Sequence, residues 1–427
     1  MDPLPAPSSA AARPRPGSAR LWLAAAILLL WATGYTWATW RYFTRLVPGG
    51  NDFLAHYSVW EGFFKHGLNP YSDEAALYSQ QAIYGRPARA GEDQNRLTYP
   101  FYSVVIHAPF ILLDYPLARA LYMTLLQAAL FAGVGLMLTL LGWRPPPVVA
   151  LALLAWSLLN YPEARDVILG QFALFGFFAL AAALLLLARG RDAAAGALLV
   201  LATVKPTLVF LVVPFLLCWA ATRGRWRFVF GFAALLLALA AFSWLALPSW
   251  LGDWLYRISA YSGYTVGQSP VWLLTHSALP VLGATGEWVI SAGLLLWLLW
   301  AWWHAIRPGS EAAFHWTLGL TLVVSDLIVP RSATTNYVLL LTTTLWIFAL
   351  LDQQGARGRW LILLFMAASV VGQWWLHFAT VVGNQEQAVM FLPWPLLLGA
   401  VLWLGRGWLL CETRAAGLWP IERRPAA

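Results

Sequence analysis

An acidic residue follows the first long apolar segment, in the run Gly49-Gly50-Asn51-Asp52-Phe53. A carboxylate at a flexible break beside the membrane can act as a general base and take the proton of a hydroxyl group. Asp is also a favoured helix N-cap, so Asp52 has both a catalytic and a structural interpretation. The residues that follow add polar and aromatic groups that can contact a substrate, and those candidates are His56, Tyr57, Asn69 and Tyr71.

The second chemically informative residue is Lys205, which lies between apolar blocks in Thr203-Val204-Lys205-Pro206-Thr207. A lysine at the bilayer centre costs about 2.5–3.5 kcal/mol, so its ammonium must reach an interface, a carboxylate or an anionic ligand. A lipid phosphate is one such ligand, because lysine binds phosphate as a point charge. Snorkelling or a structural ion pair is the alternative.

Arg331 lies in a further polar interruption of apolar sequence, and it can either bind phosphate or neutralise Asp326. Two amides, Gln171 and Gln268, can hydrogen-bond a sugar, although a helix contact for Gln171 and a simple loop position for Gln268 are the favoured alternatives. Tyr99 precedes Pro100, which indicates a break at the membrane surface.

The elements that must position these residues are membrane helices. Of the 427 residues, 60% are hydrophobic and 11% are charged, whereas soluble domains carry about 25% charged residues. The apolar residues fall into blocks of roughly 20, the length that crosses about 30 Å of hydrocarbon. We therefore predict an all-α polytopic membrane protein with about 12 transmembrane helices and interfacial helices in the first outer loop.

The predicted organisation is a disordered cytoplasmic tail over 1–20, a transmembrane domain over 21–411 and a second cytoplasmic tail over 412–427. Two outer loops are expected, at about 44–100 and 248–282. The segment 193–222 is compatible either with one broken helix or with two spans. Two short apolar stretches, 100–113 and 271–282, suit re-entrant or interfacial helices.

The distribution of charge predicts the orientation. Most of the 27 basic residues, but few of the 19 acidic ones, lie in the segments predicted to be inside, as the positive-inside rule expects. We thus predict a multi-pass protein of the plasma membrane with both termini in the cytoplasm. The orientation in the membrane accounts for the net charge of +8, so this charge does not indicate a nucleic-acid partner, and we expect none.

The predicted inner loops are too small for a soluble catalytic domain, and they contain no phosphate-binding glycine loop and no dinucleotide fingerprint. Any chemistry should therefore occur at the extracytoplasmic face. The outer loops contain no Asp-x-Asp, and the two cysteines imply neither a disulfide framework nor a metal site. We expect no metal and no cofactor.

Taken in order, these motifs resemble the GT-C superfamily of membrane glycosyltransferases, and within it glycosyltransferase family 87, the polyprenol-phosphate-mannose-dependent mannosyltransferases. The resemblance runs from about 49 to 345. It rests on Gly-x-Asp-Phe with Tyr57, Gly67-Leu68-Asn69-Pro70-Tyr71, Tyr99-Pro100, Gly170-Gln171, Arg191-Asp192 with Gly196, and Lys205-Pro206-Thr207.

The resemblance implies a polyprenyl-phosphate-linked hexose donor, typically mannose, and a glycolipid or glycan acceptor in contact with membrane lipids. Asp52 would deprotonate the acceptor hydroxyl, attack would invert the anomeric carbon, and Lys205 would hold the leaving phosphate. The chain departs from the family pattern at Phe101, where a second proline is usual. It also departs at Asn336, which falls near a histidine position of the family and is a candidate for binding the substrate. We hypothesise that Arg331 compensates for the missing histidine.

A transporter or flippase for a lipid-linked or anionic solute is the alternative, because it also needs polar residues in an amphipathic cavity. Transporters often contain paired repeats with broken helices, and the sequence has no clear repeat. An acidic residue in a long outer loop favours the enzyme.

Overall fold

The computed structural model describes residues 18–49, 51–261, 269–307, 311–330, 332–382 and 386–416. Within these ranges the chain is mostly helical and forms no β-strand. The predicted class, a helical polytopic membrane protein, is confirmed. The first ten helices are α1 (Ser18–Thr39), α2 (Asn51–His66), α3 (Asp73–Tyr84), α4 (Val104–His107), α5 (Tyr115–Leu140), α6 (Pro147–Leu159), α7 (Tyr161–Leu169), α8 (Ala173–Ala188), α9 (Asp192–Ala202) and α10 (Val212–Thr222).

The second half of the chain continues with helices that range in length from 4 to 25 residues. They are α11 (Trp226–Ala246), α12 (Trp250–Ala260), α13 (Pro270–Leu273), α14 (Gly283–Ala305), α15 (Glu311–Ile328), α16 (Leu341–Gln353), α17 (Ala356–Thr380), α18 (Ala388–Phe391), α19 (Pro393–Leu404) and α20 (Arg406–Ala415). A 3-10 helix, Thr334–Leu340, leads directly into α16.

Five helical segments among the described residues are long and apolar enough to cross a membrane: α5, α11, α14, α17 and α16 with its preceding 3-10 helix. The number rises to seven if two bent pairs each count as one span. One of these pairs is α7 with α8, which meet at an angle of 118°. Several of the remaining apolar helices are shorter than a bilayer crossing needs, so the count of about 12 spans stays a prediction.

The predicted interfacial helices of the first outer loop correspond to α2 and α3. Ser72 caps α3 by accepting a 3.1 Å hydrogen bond from the Ala75 amide, and Gly85 ends this helix in the left-handed conformation. Short helical turns also occupy 101–112 and 270–278, where the sequence predicted interfacial or re-entrant segments.

The segment 193–222 forms a hairpin. Arg225, which follows α10, pairs at 2.6 Å with Asp192 at the start of α9. The start of α9 and the end of α10 therefore lie close together, and the chain reverses direction between the two helices, at the turn that contains Lys205. Close packing of α9 on α11 holds this hairpin, since a Cβ atom on Gly196 would collide with the backbone of Phe228.

Helix α12, from the second outer loop, packs on the first outer loop. The Arg257 guanidinium donates to the Tyr71 carbonyl and, at 2.8 Å, to Asp73. The Trp254 indole donates to the Thr98 carbonyl at 2.9 Å. The two loops predicted to lie outside thus pack against each other. The side of the membrane on which they lie stays a prediction.

Candidate active site

One cavity of about 410 Å³ opens between the two outer-loop segments and the helix bundle. It brings together six of the residues that the sequence nominated, from five separate parts of the chain. These are Asp52, His56, Tyr99, Gln171, Lys205 and Asn336.

Helix α2 contributes one face to the cavity. Asp52, Ala55, His56 and Val59 line it, and their spacing of three, four and seven residues places them on one side of a helix. Asp52 lies in the first turn of α2, where the helix dipole favours a negative charge. The carboxylate therefore points into the cavity from a rigid element.

Gly170 sets the distance between α2 and the bend that carries Gln171. It ends α7 with φ of +69°, in the left-handed region that favours glycine. A Cβ atom at this position would lie 2.5 Å from Cβ of Phe53, the residue after Asp52. Only glycine allows the α7–α8 bend to approach Asp52 this closely.

Gln171 joins the acidic and basic groups of the cavity. Its Oε1 accepts a 2.7 Å hydrogen bond from Lys205 Nζ and a 3.4 Å bond from the Tyr99 hydroxyl. Its side chain also hydrogen-bonds the Asp52 carboxylate. The side-chain amide of Gln171 consequently links the Asp52 carboxylate to the Lys205 ammonium group.

Lys205 is only 8% exposed. It precedes Pro206, which restricts it to extended backbone and ends the helical run. Its ammonium has Asp166, Asp52 and Asp326 as electrostatic neighbours. Gln171 uses one of its three N–H donors, and no other described residue accepts a hydrogen bond from it.

The Asp52 carboxyl is an ionisable group in a buried setting. Burial raises its pKa above the ordinary range, while the Gln171 hydrogen bond and the Lys205 charge oppose that rise. Asp93, across the cavity, raises it further, and Arg165 lowers it. Asp52 is thus held closer to the protonation range of a working general base than a solvated carboxylate is.

His56 packs against two rings: it stacks on His107 at a centroid distance of 4.6 Å and lies tilted against Tyr99 at 4.4 Å. Burial, His107 and Lys205 hold its pKa well below the ordinary value. A neutral imidazole can donate one hydrogen bond and accept another, which suits a hydroxyl-bearing ligand.

Three nominated residues lie beside the cavity and use their polar groups on the protein itself. The Tyr57 hydroxyl donates to the Leu113 carbonyl at 2.8 Å, and the Asn69 amide donates to Asp253 at 2.8 Å. The Tyr71 hydroxyl donates to the Tyr99 carbonyl at 2.9 Å. The Tyr71 contact holds the backbone of Tyr99, and all three bonds occupy polar groups that could otherwise contact a substrate.

Gln268 and Arg331 lie outside the described residues, so their assignments stay predictions. Asp326, the neighbour suggested for Arg331, is buried, and its Oδ2 has no hydrogen-bond partner among the residues described. Asn336 is 2% exposed, and its Oδ1 likewise has no partner within those ranges.

The sequence did not nominate the segment from Asp93 to Leu97, which also lines the cavity together with Tyr261. Arg96 lies there and pairs with Asp73 at 3.2 Å. A signal was available, because Arg96 is a basic residue in a loop predicted to lie outside, against the positive-inside trend. In the described part of the chain, no cluster of three or more His, Cys, Asp or Glu side chains could hold a metal ion.

A helical membrane protein with these groups in one cavity is equipped for transfer chemistry beside a lipid. The model of glycosyltransferase family 87 matches residues 97–330, which is more than half of the chain. The chain belongs to glycosyltransferase family 87 and is a membrane glycosyltransferase of the GT-C type. No curated protein and no solved structure gives a significant match.

The matched region contains Tyr99, Gln171 and Lys205, whereas Asp52 and Asn336 lie outside it. Family membership favours the enzyme over the transporter alternative. The roles of the individual residues depend on the geometry of the cavity.

Proposed function

We propose that this enzyme transfers a hexose, with mannose as the expected sugar, from a polyprenyl-phosphate-linked donor to a hydroxyl group of a glycolipid or glycan. The observation that carries the proposal is the Asp52–Gln171–Lys205 arrangement in one cavity. It offers a base for the acceptor and a cation for the phosphate of the donor.

In the proposed reaction, the Asp52 carboxylate takes the proton of the acceptor hydroxyl as its oxygen attacks the anomeric carbon. The bond between that carbon and the phosphate oxygen breaks, and polyprenyl phosphate leaves with the bonding electrons. Attack from the face opposite the phosphate inverts the anomeric centre. Lys205 neutralises the charge that develops on the departing phosphate, a contribution that needs a donor aimed in advance at that charge.

The composition of the cavity supports a lipid-linked donor. Phe210 and Ile258 line it and are 37% and 41% exposed. Exposed apolar side chains in the wall of the cavity suit a polyprenyl chain, which must stay in the membrane while its phosphate enters the site. By the predicted topology, the site faces the extracytoplasmic side of the plasma membrane, and both termini are cytoplasmic.

Asp52→Asn tests the proposal, because it keeps the size and hydrogen-bonding shape of the side chain but cannot accept the proton. We expect at least about a 100-fold loss of transfer, within the range attributed to general base catalysis. The assay is transfer of tritiated mannose from synthetic farnesyl-phosphate mannose to lipids of the host membranes.

Glu61→Gln is the matched control, because Glu61 lies on the same helix but pairs with Lys65 at 2.8 Å outside the cavity. The control should retain transfer. Full transfer by a folded Asp52→Asn protein would remove the general base from the proposal.

A further inference from the structure

Asn336 has a buried side-chain amide in the wall of the cavity. The residue is 2% exposed and lines the cavity. Its Oδ1 is buried without a hydrogen-bond partner, and its Nδ2 forms no hydrogen bond with any other residue that the structure describes. A buried amide without partners is costly, and such groups are rare in folded proteins. A ligand in the cavity can supply a bond that the protein does not.

The segment around Asn336 is held in place by the residues on either side of it. The Thr334 hydroxyl bonds the Glu386 carboxylate, at 2.8 Å and 3.0 Å from its two oxygens. The Tyr337 hydroxyl donates to the Phe391 carbonyl at 2.8 Å. The Asn336 side chain therefore belongs to a fixed wall, as a binding group that is set in advance for its ligand requires.

The 3-10 helix that contains Asn336 and the turn that contains Lys205 are neighbours on α8. Leu208 lies one turn after Lys205, and Leu339 lies one turn after Asn336. A Cβ atom on Gly176 of α8 would lie 3.0 Å from the Leu208 side chain and 3.8 Å from the Leu339 side chain. Both segments thus pack against the same point of α8 while their polar residues line one cavity.

The chemistry of the two polar residues divides the donor between them. Phosphate favours charged hydrogen-bond donors, which the Lys205 ammonium provides. The neutral amide of Asn336 suits an uncharged hydroxyl group, since an amide can both donate and accept a hydrogen bond. In a polyprenyl-phosphate hexose the sugar is joined directly to the phosphate, so a phosphate at Lys205 brings the sugar beside the wall with Asn336.

We propose that Asn336 is a specificity-determining residue whose side-chain amide hydrogen-bonds a hydroxyl group of the donor hexose. The inference rests on the proposed function for the nature of the donor, and it adds the group that selects the sugar. A site that bonds a hydroxyl group rejects analogues that lack it, because the polar group of the site is then left unpaired.

The test compares kcat/KM for farnesyl-phosphate mannose with kcat/KM for analogues that each lack one of the sugar hydroxyl groups. In the wild type, loss of the hydroxyl that Asn336 bonds should reduce kcat/KM by about 10-fold. In Asn336→Ala that analogue should be used as well as the mannose donor, because the partner of the missing hydroxyl is gone. The reductions for the other analogues should persist, so the comparison isolates one pairwise contact.

Thr335→Val is the matched control. Thr335 is the neighbour of Asn336, is also 2% exposed, and has an Oγ1 without a partner in the described ranges, but it does not line the cavity. This variant should discriminate among the analogues as the wild type does. Asn336→Leu removes the amide while keeping the approximate size of the side chain, and it supplies the comparison if Asn336→Ala does not fold.

Reductions that are the same for every analogue in Asn336→Ala and in the wild type would overturn the role of Asn336 and leave the lipid-linked donor intact. An equal loss of discrimination in Thr335→Val would also overturn it, because the effect would then come from the packing of the wall. If the wild type uses another hexose instead of mannose, the analogues of that hexose decide the role of Asn336. No transfer from any farnesyl-phosphate hexose by the folded wild type would refute the proposed donor, and with it the role that rests on it.

Discussion

Substituting Gly170 by alanine tests whether the close approach of two backbones assembles the site. The new Cβ atom would lie 2.5 Å from Cβ of Phe53, whereas carbon atoms in contact prefer about 3.5–4.0 Å. Helix α2 must therefore retreat by about 1 Å at the residue next to Asp52. A misplacement of about this size can reduce a reaction rate by about 100-fold.

The loss of stability has two parts. An alanine at a φ of +69° pays the penalty of the left-handed conformation, about 1–2 kcal/mol. Overpacking against Phe53 adds about 1–3 kcal/mol. Gly190→Ala is the matched control, because Gly190 has a φ of +71° but nothing within 4 Å of the added Cβ, and it should lose only the first part.

The assays are thermal unfolding in detergent and transfer from farnesyl-phosphate mannose, with both variants measured side by side. We expect Gly170→Ala to unfold at a lower temperature than Gly190→Ala and to lose most of its activity, while Gly190→Ala keeps it. Equal stability and equal activity of the two variants would refute the reasoning that the Gly170–Phe53 contact positions Asp52.

Three further predictions concern the phosphate site, the base and the topology. Lys205→Ala should raise the KM for the donor by about 10–100-fold, because a hydrogen bond to a charged group is lost, and it should not change the KM for the acceptor in the same way. Lys65→Ala alters the other lysine of the chain and should leave both KM values unchanged. Equal effects of the two substitutions would contradict the assignment of Lys205 to the donor phosphate. The rate of transfer should increase as the pH rises above about 4, because burial raises the pKa of Asp52 above its ordinary value. Gln171→Leu should move this rise in rate to higher pH, since it removes a hydrogen bond that favours the ionised form of Asp52. A rise that does not move would show that another group is titrating. For the topology, the two native cysteines are replaced by serine, and single cysteines are introduced at the exposed positions Ala90 and Gln354. The cysteine at position 90 should react with an impermeant maleimide added outside intact cells, whereas the one at position 354 should not. The reverse pattern would contradict the predicted orientation in the membrane.

The amino-acid sequence alone determined the class of the protein and the residues at which polar groups interrupt apolar sequence. Hydrophobic block length and the scarcity of charge follow from the bilayer, so they can be read locally. The same logic singled out Asp52 and Lys205, because an ionisable group in such surroundings is costly unless it has a partner or a ligand. It could not fix the number of spans, because several helices of the bundle are shorter than a crossing.

Only the tertiary structure decided which of these residues meet. Gln171 and Lys205 are 34 residues apart in sequence, and their contact depends on the α7–α8 bend and the α9–α10 hairpin, which no local periodicity encodes. Tyr71 shared the local signals of a substrate contact, yet its hydroxyl is committed to the Tyr99 carbonyl. Arg96 had only a weak signal in the sequence and joins the cavity through the fold, where it pairs with Asp73, 23 residues earlier in the chain.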